Sequence, residues 1–207
     1  MSCCEKNMNK AIKAVIFDLD GTITEPFFDF DKIKKEIGLP EGCGPLLEAM
    51  EKMTGKQRQR AEKILHRHEQ LAVAKSTLNP GTKETLHTLT DIGVKMGILT
   101  RNKRNNALAV LKKHALKFDM VVGREDGPVK PDAFGVAHTC EKFGVSPCQT
   151  LVVGDYLFDL QCARSAGAIA VLLANHKDAQ QFACCADYTI ENIEQILDII
   201  AQRNVKL

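Results

Sequence analysis

Several features that mark membrane, secreted or nucleic-acid-binding proteins are missing from this sequence. No apolar run approaches the roughly 20 residues that a membrane-spanning helix needs, and the opening MSCCEKNMNK lacks the apolar core of a signal peptide. The formal net charge is only +2, so no global field draws the chain to nucleic acid or to a membrane surface. We therefore expect a cytoplasmic protein that binds neither nucleic acid nor membrane.

The sequence also lacks any C-x-x-C pair, although it contains 8 cysteines. Two pairs are adjacent in sequence, Cys3–Cys4 and Cys184–Cys185, and adjacent cysteines rarely ligate one zinc ion together. No histidine falls at zinc-ligand spacing from them. We interpret the cysteines as reduced thiols, which agrees with a cytoplasmic location.

Strand-like and helix-like patterns alternate through most of the 207 residues. The strand-like runs are AVIFDL, VKMGILT, DMVVG, TLVVGD and AIAVLLA, and helical patterns separate them from about Lys83 onwards. Such alternation is typical of β-α-β crossovers. It predicts an α/β fold, a Rossmann-like parallel sheet with helices on both faces.

One long segment after the first strand contains only helical patterns. Residues 25–79 are therefore predicted to form a small all-helical insertion. Residues 12–24 and 80–207 form the α/β core, and 1–11 form an N-terminal tail. Within the insertion, His68 lies in an apolar stripe, so packing is a better explanation for it than substrate contact. The basic run Lys56–His68 fits a solvated helix face better than a nucleic-acid site.

Polar and charged residues follow the predicted strands where each strand ends. They are Asp18 and Asp20 after the first strand, Thr100 and Arg101 after the second, Lys130 after the third, and Asp155 and Asp159 after the fourth. Open parallel sheets bind ligands at the carboxyl ends of their strands. We therefore expect these side chains to gather at one edge of the sheet.

The residue types at this edge indicate phosphoryl transfer. Three nearby carboxylates are unfavourable without a cation, and Mg²⁺ prefers carboxylate oxygens together with water and substrate phosphate. Thr100 and Lys130 are donors without negative charge, which suits them to phosphoryl oxygens.

Four motifs, DLDGT, ILT, VKPD and VVGDYLFDL, resemble in order and context those of the haloacid dehalogenase-like hydrolase superfamily. The helical insertion is similar in place to that superfamily's C1-type cap. The resemblance implies a Mg²⁺-dependent phosphatase of the phosphoglycolate phosphatase-like branch, acting on small phosphorylated metabolites through an aspartyl-phosphate intermediate. A cap over the site would exclude large polymers.

The resemblance also implies a role for each matching residue. Asp18 matches the nucleophile and Asp20 the general acid/base. The Mg²⁺ ligands would be Asp18, the backbone carbonyl of Asp20, and Asp155, with Asp159 supporting the metal shell. Thr100 and Lys130 match the residues that hold the phosphoryl group. Arg101 stands where asparagine is common, so its backbone N–H is the better candidate for contacting phosphate.

Simpler explanations exist for each motif taken alone. Asp18 and Asp20 would suit a turn, Thr100 a helix N-cap, and Asp155 and Asp159 the first turn of a helix. Lys130 would suit a solvated loop. Two other functions also stay open: a phosphomutase on the same scaffold, or a binding module without turnover. Asp20 argues against the dehalogenase and phosphonate-cleaving branches, which lack that acid. The sequence leaves the oligomeric state open.

Overall fold

A computed structural model describes residues 10–204 of the chain. Most of the predicted tail 1–11, with Cys3 and Cys4, lies outside the described residues. The chain divides into two compact units: a helical unit, Phe27–Ser76, and a core unit made of the residues up to Pro26 and from Thr77 onwards.

Six parallel strands form the sheet of the core unit. They are β1 (Ala14–Phe17), β2 (Lys95–Leu99), β3 (Met120–Val122), β4 (Thr150–Gly154), β5 (Ile169–Leu173) and β6 (Tyr188–Ile190). Their order across the sheet is β3-β2-β1-β4-β5-β6. The chain therefore extends the sheet in one direction up to β3 and in the other from β4 onwards. β1 lies at the point where the direction changes.

The described part of the chain contains eight α-helices, of which the first three belong to the helical unit. They are α1 (Phe30–Ile37), α2 (Leu46–Glu51), α3 (Gly55–Lys75), α4 (Thr82–Asp91), α5 (Arg104–His114), α6 (Phe134–Phe143), α7 (Leu157–Ala166) and α8 (Ile196–Asn204). Three 3-10 helices, Pro147–Gln149, Ala179–Cys185 and Ile193–Gln195, complete the regular structure.

Both faces of the central strands are covered. Every residue of β1, β4 and β5 is buried, and successive residues of a strand point to opposite faces. On one face, Ile16 packs in a cluster with Val136 of α6 and Leu160 of α7. Parallel sheets occur almost only with both faces covered, so the predicted α/β fold class is confirmed.

The helical unit has its own apolar cluster. Ile33 of α1 packs with Leu46 and Met50 of α2 and with Ala61 and Leu65 of α3. These residues come from the helical patterns in the sequence. The unit therefore has a small core of its own.

A polar contact also joins two helices of this unit. Glu36 of α1 accepts hydrogen bonds from Arg67 and lies 2.9 Å from Nε2 of His68, both on α3. These hydrogen bonds, chiefly the one with His68, hold the pKa of Glu36 below its usual value. His68 is therefore a mostly buried histidine paired with an acid.

A short neck in the core unit brings together the two chain segments that flank the helical unit. Thr24 and Leu78 form an isolated antiparallel bridge, and the Glu25 backbone N–H donates to the Thr77 carbonyl at 3.0 Å. The Asn79 amide Nδ2 lies 2.7–3.1 Å from three carbonyl oxygens of the turn after β1. The neck therefore fixes both segments to the turn that carries the first motif.

Two further observations concern the described part of the chain. Its helices are too short or too polar for any of them to cross a membrane. Its six cysteines, in positions from Cys43 to Cys185, are free thiols.

Candidate active site

The candidate site lies where β1, β2 and β4 end side by side. Phe17, the last residue of β1, is in register with Ile98 of β2 and Val153 of β4. Asp18 follows β1 directly, as Thr100 follows β2 and Asp155 follows β4. Because neighbouring parallel strands end together, the topology brings these three residues to one edge of the sheet.

Lys130 joins two of the predicted acids. Its Nζ lies 2.5 Å from Oδ1 of Asp18 and 2.5 Å from Oδ1 of Asp159. The three side chains are 4%, 10% and 4% exposed, respectively. One ammonium group thus serves two buried carboxylates. Lys130 is not a solvated loop residue.

Burial and the excess of carboxyl groups over ammonium groups shift the pKa values of these side chains. Burial is the main cause that raises the pKa of Asp18; Lys130 opposes it, and the neighbouring acids reinforce it. The pKa of Asp159 is raised, also chiefly by burial. Burial alone would lower the pKa of Lys130, yet Asp159 and Asp18 outweigh it and raise that pKa. Lys130 therefore stays an ammonium ion. Because one ammonium group serves two acids, the charge balance of the cluster allows a further cation.

Three carboxylates of this cluster could hold a metal ion. One oxygen each of Asp18, Asp155 and Asp159 lie within 4.8 Å of one another. A Cβ atom on Gly21 (φ +99°) would come within 2.3 Å of Oδ2 of Asp155, so only glycine allows the Asp155 carboxylate so close to the first turn. A donor set of carboxylate oxygens fits a hard divalent cation.

Asp155 is itself held by two neighbours. Thr22 Oγ1 donates to its Oδ1 at 3.3 Å, and His176 Nε2 lies 3.4 Å from its Oδ2. The hydrogen bond with Asp155 is the main cause that raises the pKa of His176. These contacts orient the carboxylate toward the cluster.

Asp159 serves both the cluster and the start of α7. Its Oδ2 accepts a hydrogen bond from the backbone N–H of Tyr156 at 3.2 Å, in a capping arrangement. A Cβ atom on Gly154 would lie 2.2 Å from its side chain. Asp159 therefore caps the start of α7, as the simpler explanation has it, and its Oδ1 also contacts Lys130.

Asp20 is half-buried, and its carboxylate has a different environment. Asn102 Nδ2 donates to its Oδ2 at 3.3 Å, and the three-acid cluster does not include its carboxylate. The residue next to β2, Thr100, is buried, and its Oγ1 accepts a hydrogen bond from the Asn102 backbone N–H at 3.0 Å. Thr100 is not the N-cap of α5, which is Lys103.

The guanidinium group of Arg101 contacts protein atoms near the cluster. Its Nη1 donates to the backbone carbonyl of Lys130 at 2.5 Å. Its Cζ lies 4.6 Å from the centre of the Phe158 ring, within cation–π distance. Arg101 thus links the loop of Lys130 to the first turn of α7.

Three residues at the site have no role among the sequence predictions: Asn102, Thr22 and His176. Asn102 and Thr22 lie within or next to the quoted motifs, so their position was a usable signal. His176 lies three residues after β5, the one buried strand for which no site residue was predicted. Its place near the carboxyl end of a central strand is the signal in the sequence.

Comparisons with known proteins agree with this fold. Residues 28–173 match the haloacid dehalogenase-like hydrolase family. An uncharacterised hydrolase of Saccharomyces cerevisiae is 29% identical over 94% of this chain and 94% of its own. A phosphoglycolate phosphatase of Chromobacterium violaceum is 26% identical, covering 92% of this chain and 97% of that protein.

A solved structure shares the architecture as well. The crystal structure of a predicted phosphoglycolate phosphatase from Haemophilus somnus superposes with a TM-score of 0.71 at 25% identity. The match covers 91% of this chain and 97% of that one. The chain therefore belongs to the haloacid dehalogenase-like hydrolase family.

Proposed function

We propose that this protein is a Mg²⁺-dependent phosphatase that hydrolyses small phosphorylated metabolites through an aspartyl-phosphate. The observation that carries the proposal is the buried contact of Lys130 with Asp18 and Asp159 at the edge where Asp155 also lies. A carboxylate beside an ammonium group and a cation site suits attack on an anionic phosphoryl group. The names of several relatives, phosphoglycolate phosphatase among them, support the substrate class.

In the first step, an oxygen of Asp18 attacks phosphorus. The bond from phosphorus to the leaving oxygen breaks, and its electron pair stays on that oxygen. The carboxylic acid of Asp20 gives its proton to the same oxygen, so a neutral alcohol leaves and Asp18 carries the phosphoryl group.

In the second step, water attacks the phosphorus of the aspartyl-phosphate. Asp20, now a carboxylate, takes a proton from the water, and the bond from phosphorus to Asp18 breaks. Inorganic phosphate leaves, the Asp18 carboxylate is restored, and Asp20 is again protonated.

The metal site would use Asp18, the backbone carbonyl of Asp20, and Asp155, with Asp159 in support. Bound Mg²⁺ would neutralise phosphoryl oxygens and offset the charge of the carboxylates. Thr100, Lys130 and the backbone N–H of Arg101 are proposed to hold the phosphoryl oxygens. The oxygen-only donor set favours Mg²⁺ over softer metals.

We also propose that the helical unit corresponds to the cap predicted for residues 25–79. The chain holds Asp20 where the dehalogenase and phosphonate-cleaving branches lack an acid, which favours phosphate esters as substrates. The free thiols of the described residues agree with the proposed cytoplasmic location.

The test is phosphate release from a panel of phosphorylated metabolites, with Mg²⁺ or with EDTA. The variants are Asp18→Asn and, as a matched control, Asp198→Asn, which makes the same change at an exposed position of α8. Loss of the nucleophile should lower kcat by about 10⁴–10⁶-fold, while the control keeps wild-type activity. Ca²⁺ should suppress turnover, because it prefers more ligands and longer bonds.

Other outcomes would contradict the proposal or indicate a different function. Near-normal activity of Asp18→Asn, or full activity in EDTA, contradicts the proposal. Isomerisation of a sugar 1-phosphate without free phosphate would show a phosphomutase. Binding of phosphate esters without turnover of any of them would show a binding module.

A further inference from the structure

Asn102 is a buried residue at the candidate site to which the motif comparison gives no role. It follows Thr100 and Arg101 after β2, it is 6% exposed, and its side-chain amide contacts Asp20. Its backbone carbonyl accepts from the Arg124 N–H at 3.0 Å, and its backbone N–H donates to Thr100. Both polar groups of the Asn102 backbone, its N–H and its carbonyl, are therefore hydrogen-bonded.

The neighbours of Asn102 fix which way its amide points. Oδ1 accepts hydrogen bonds from the backbone N–H of Lys103 and from Nδ2 of Asn106, both at 2.8 Å. Asn106 is itself buried. An amide turned by 180° would place its NH₂ group against both donors, and both donors would lose their acceptor, the buried one of Asn106 at the greater cost. The NH₂ group is therefore left to face Asp20, 3.3 Å away.

A role in starting α5 explains only half of these contacts. An aspartate carboxylate has the same shape as the asparagine amide, so it would accept from Lys103 and Asn106 as asparagine does. Neither aspartate nor serine carries the N–H donor that Asp20 meets. The donor is the part of Asn102 that local structure does not require.

We propose that Asn102 is a positioning residue that holds the Asp20 carboxyl group toward the leaving oxygen of the substrate. The proposal rests on the proposed function, in which Asp20 delivers a proton to that oxygen. Proton transfer needs the acid within hydrogen-bonding reach of its target. A donor fixed by the hydrogen bonds from Lys103 and Asn106 to Oδ1 restricts the orientation of the Asp20 carboxyl group.

The test compares two substrates that differ in their need for the proton. An alkyl alkoxide leaves poorly unless it is protonated, whereas p-nitrophenolate is stable without a proton. The kcat/KM value reports the reaction up to departure of the leaving group. We would measure kcat/KM for p-nitrophenyl phosphate and for the alkyl phosphate that the wild type hydrolyses fastest.

Two variants remove the donor and keep a side-chain oxygen: Asn102→Asp and the uncharged Asn102→Ser. We expect kcat/KM to fall about 10–100-fold for the alkyl phosphate, part of the 10²–10⁴-fold that general acid catalysis supplies. For p-nitrophenyl phosphate, Asn102→Ser should fall less than about 3-fold on the same reasoning. Asn105→Asp, an exposed position of α5, makes the same charge change and should behave as wild type.

Asp20→Asn provides the reference for complete loss of the acid. It should show the same preference for p-nitrophenyl phosphate more strongly, and adding Asn102→Ser to it should cause no further loss. Equal loss for both substrates, or additive loss in the double variant, would overturn the proposal and leave Asn102 a structural residue. A wild type that hydrolyses neither ester would instead refute the proposed phosphatase.

Discussion

Replacing Lys130 by methionine tests whether the buried ammonium group stabilises the core. Methionine keeps most of the apolar stem and removes the charge. The Asp18 and Asp159 carboxylates, each 2.5 Å from Nζ, would then lie buried beside each other with no ammonium between them. We expect the folded state to lose stability even without metal or substrate.

The expected loss follows from the burial of all three groups. Removing one partner of a buried ion pair costs about 3–5 kcal/mol, because the remaining charge is left uncompensated. A typical domain has a free energy of unfolding of about 5–15 kcal/mol, so the change would be a large part of the total. By contrast, an exposed pair contributes only about 0–1 kcal/mol.

The loss should also depend on pH. Burial already raises the pKa values of Asp18 and Asp159, and loss of Lys130 would raise them further. A carboxyl group with a raised pKa in the folded state favours folding when protonated. Its contribution is full below its unfolded pKa of about 3.9 and is lost as the pH rises through the folded value. The variant should therefore be closer to wild type at pH 5 than at pH 8.

Urea denaturation in EDTA, followed by circular dichroism at the two pH values, measures the effect. Lys95→Met is the matched control, because Lys95 pairs with Asp119 at 3.3 Å on the surface, with side chains 54% and 37% exposed. A loss below about 1 kcal/mol for Lys130→Met, no larger than an exposed pair gives, would refute the reasoning. An equal loss at both pH values would refute the pH dependence.

Three further predictions concern other parts of the chain. Glu36→Gln should lower the melting temperature above pH 5. Because the bond with His68 lowers the pKa of Glu36, the difference should shrink as the pH falls through that lowered value; a constant difference in thermal melts at pH 2–7 would contradict this. Gly21→Ala should lower the free energy of unfolding by at least about 1 kcal/mol and reduce Mg²⁺-dependent turnover, because its Cβ would displace Asp155; unchanged melts and rates would argue otherwise. The thiol of Cys162, whose pKa burial raises to about 12, should react with iodoacetamide at pH 8 only after unfolding, which mass spectrometry can follow; rapid native labelling would contradict its burial.

The sequence predicted the fold best where burial is complete. β1, β4 and β5 are buried throughout, so they appear as unbroken apolar runs. Gly38 and Gly167 end α1 and α7 with positive φ, and a glycine directly after a helical pattern is a stop signal that the sequence shows. β6 was missed, because its three residues, Tyr188–Ile190, are only partly buried and lie among polar residues. An edge strand this short leaves no apolar pattern.

The sequence predicted which site residues lie together where those residues directly follow a strand. Asp18, Thr100 and Asp155 follow neighbouring strands of a parallel sheet, so topology alone brings them together. The position of Lys130 depends on the path of a loop, and its contact with Asp159 could not be derived from spacing. The orientation of the Asn102 amide depends on which neighbours donate to it, which only the tertiary structure shows.

Because the neck joins the two segments that flank the helical unit, this unit is inserted in the core like one long loop between two fixed ends. Its two flanking segments are already joined by the bridge of Thr24 with Leu78 and by the Asn79 amide. The entropy of closing a loop grows only with the logarithm of its length, about 0.6 kcal/mol for each doubling. Whole helices could therefore be gained or lost between these segments at little cost to the core. The carboxylates that follow the core strands would keep their positions through such a change.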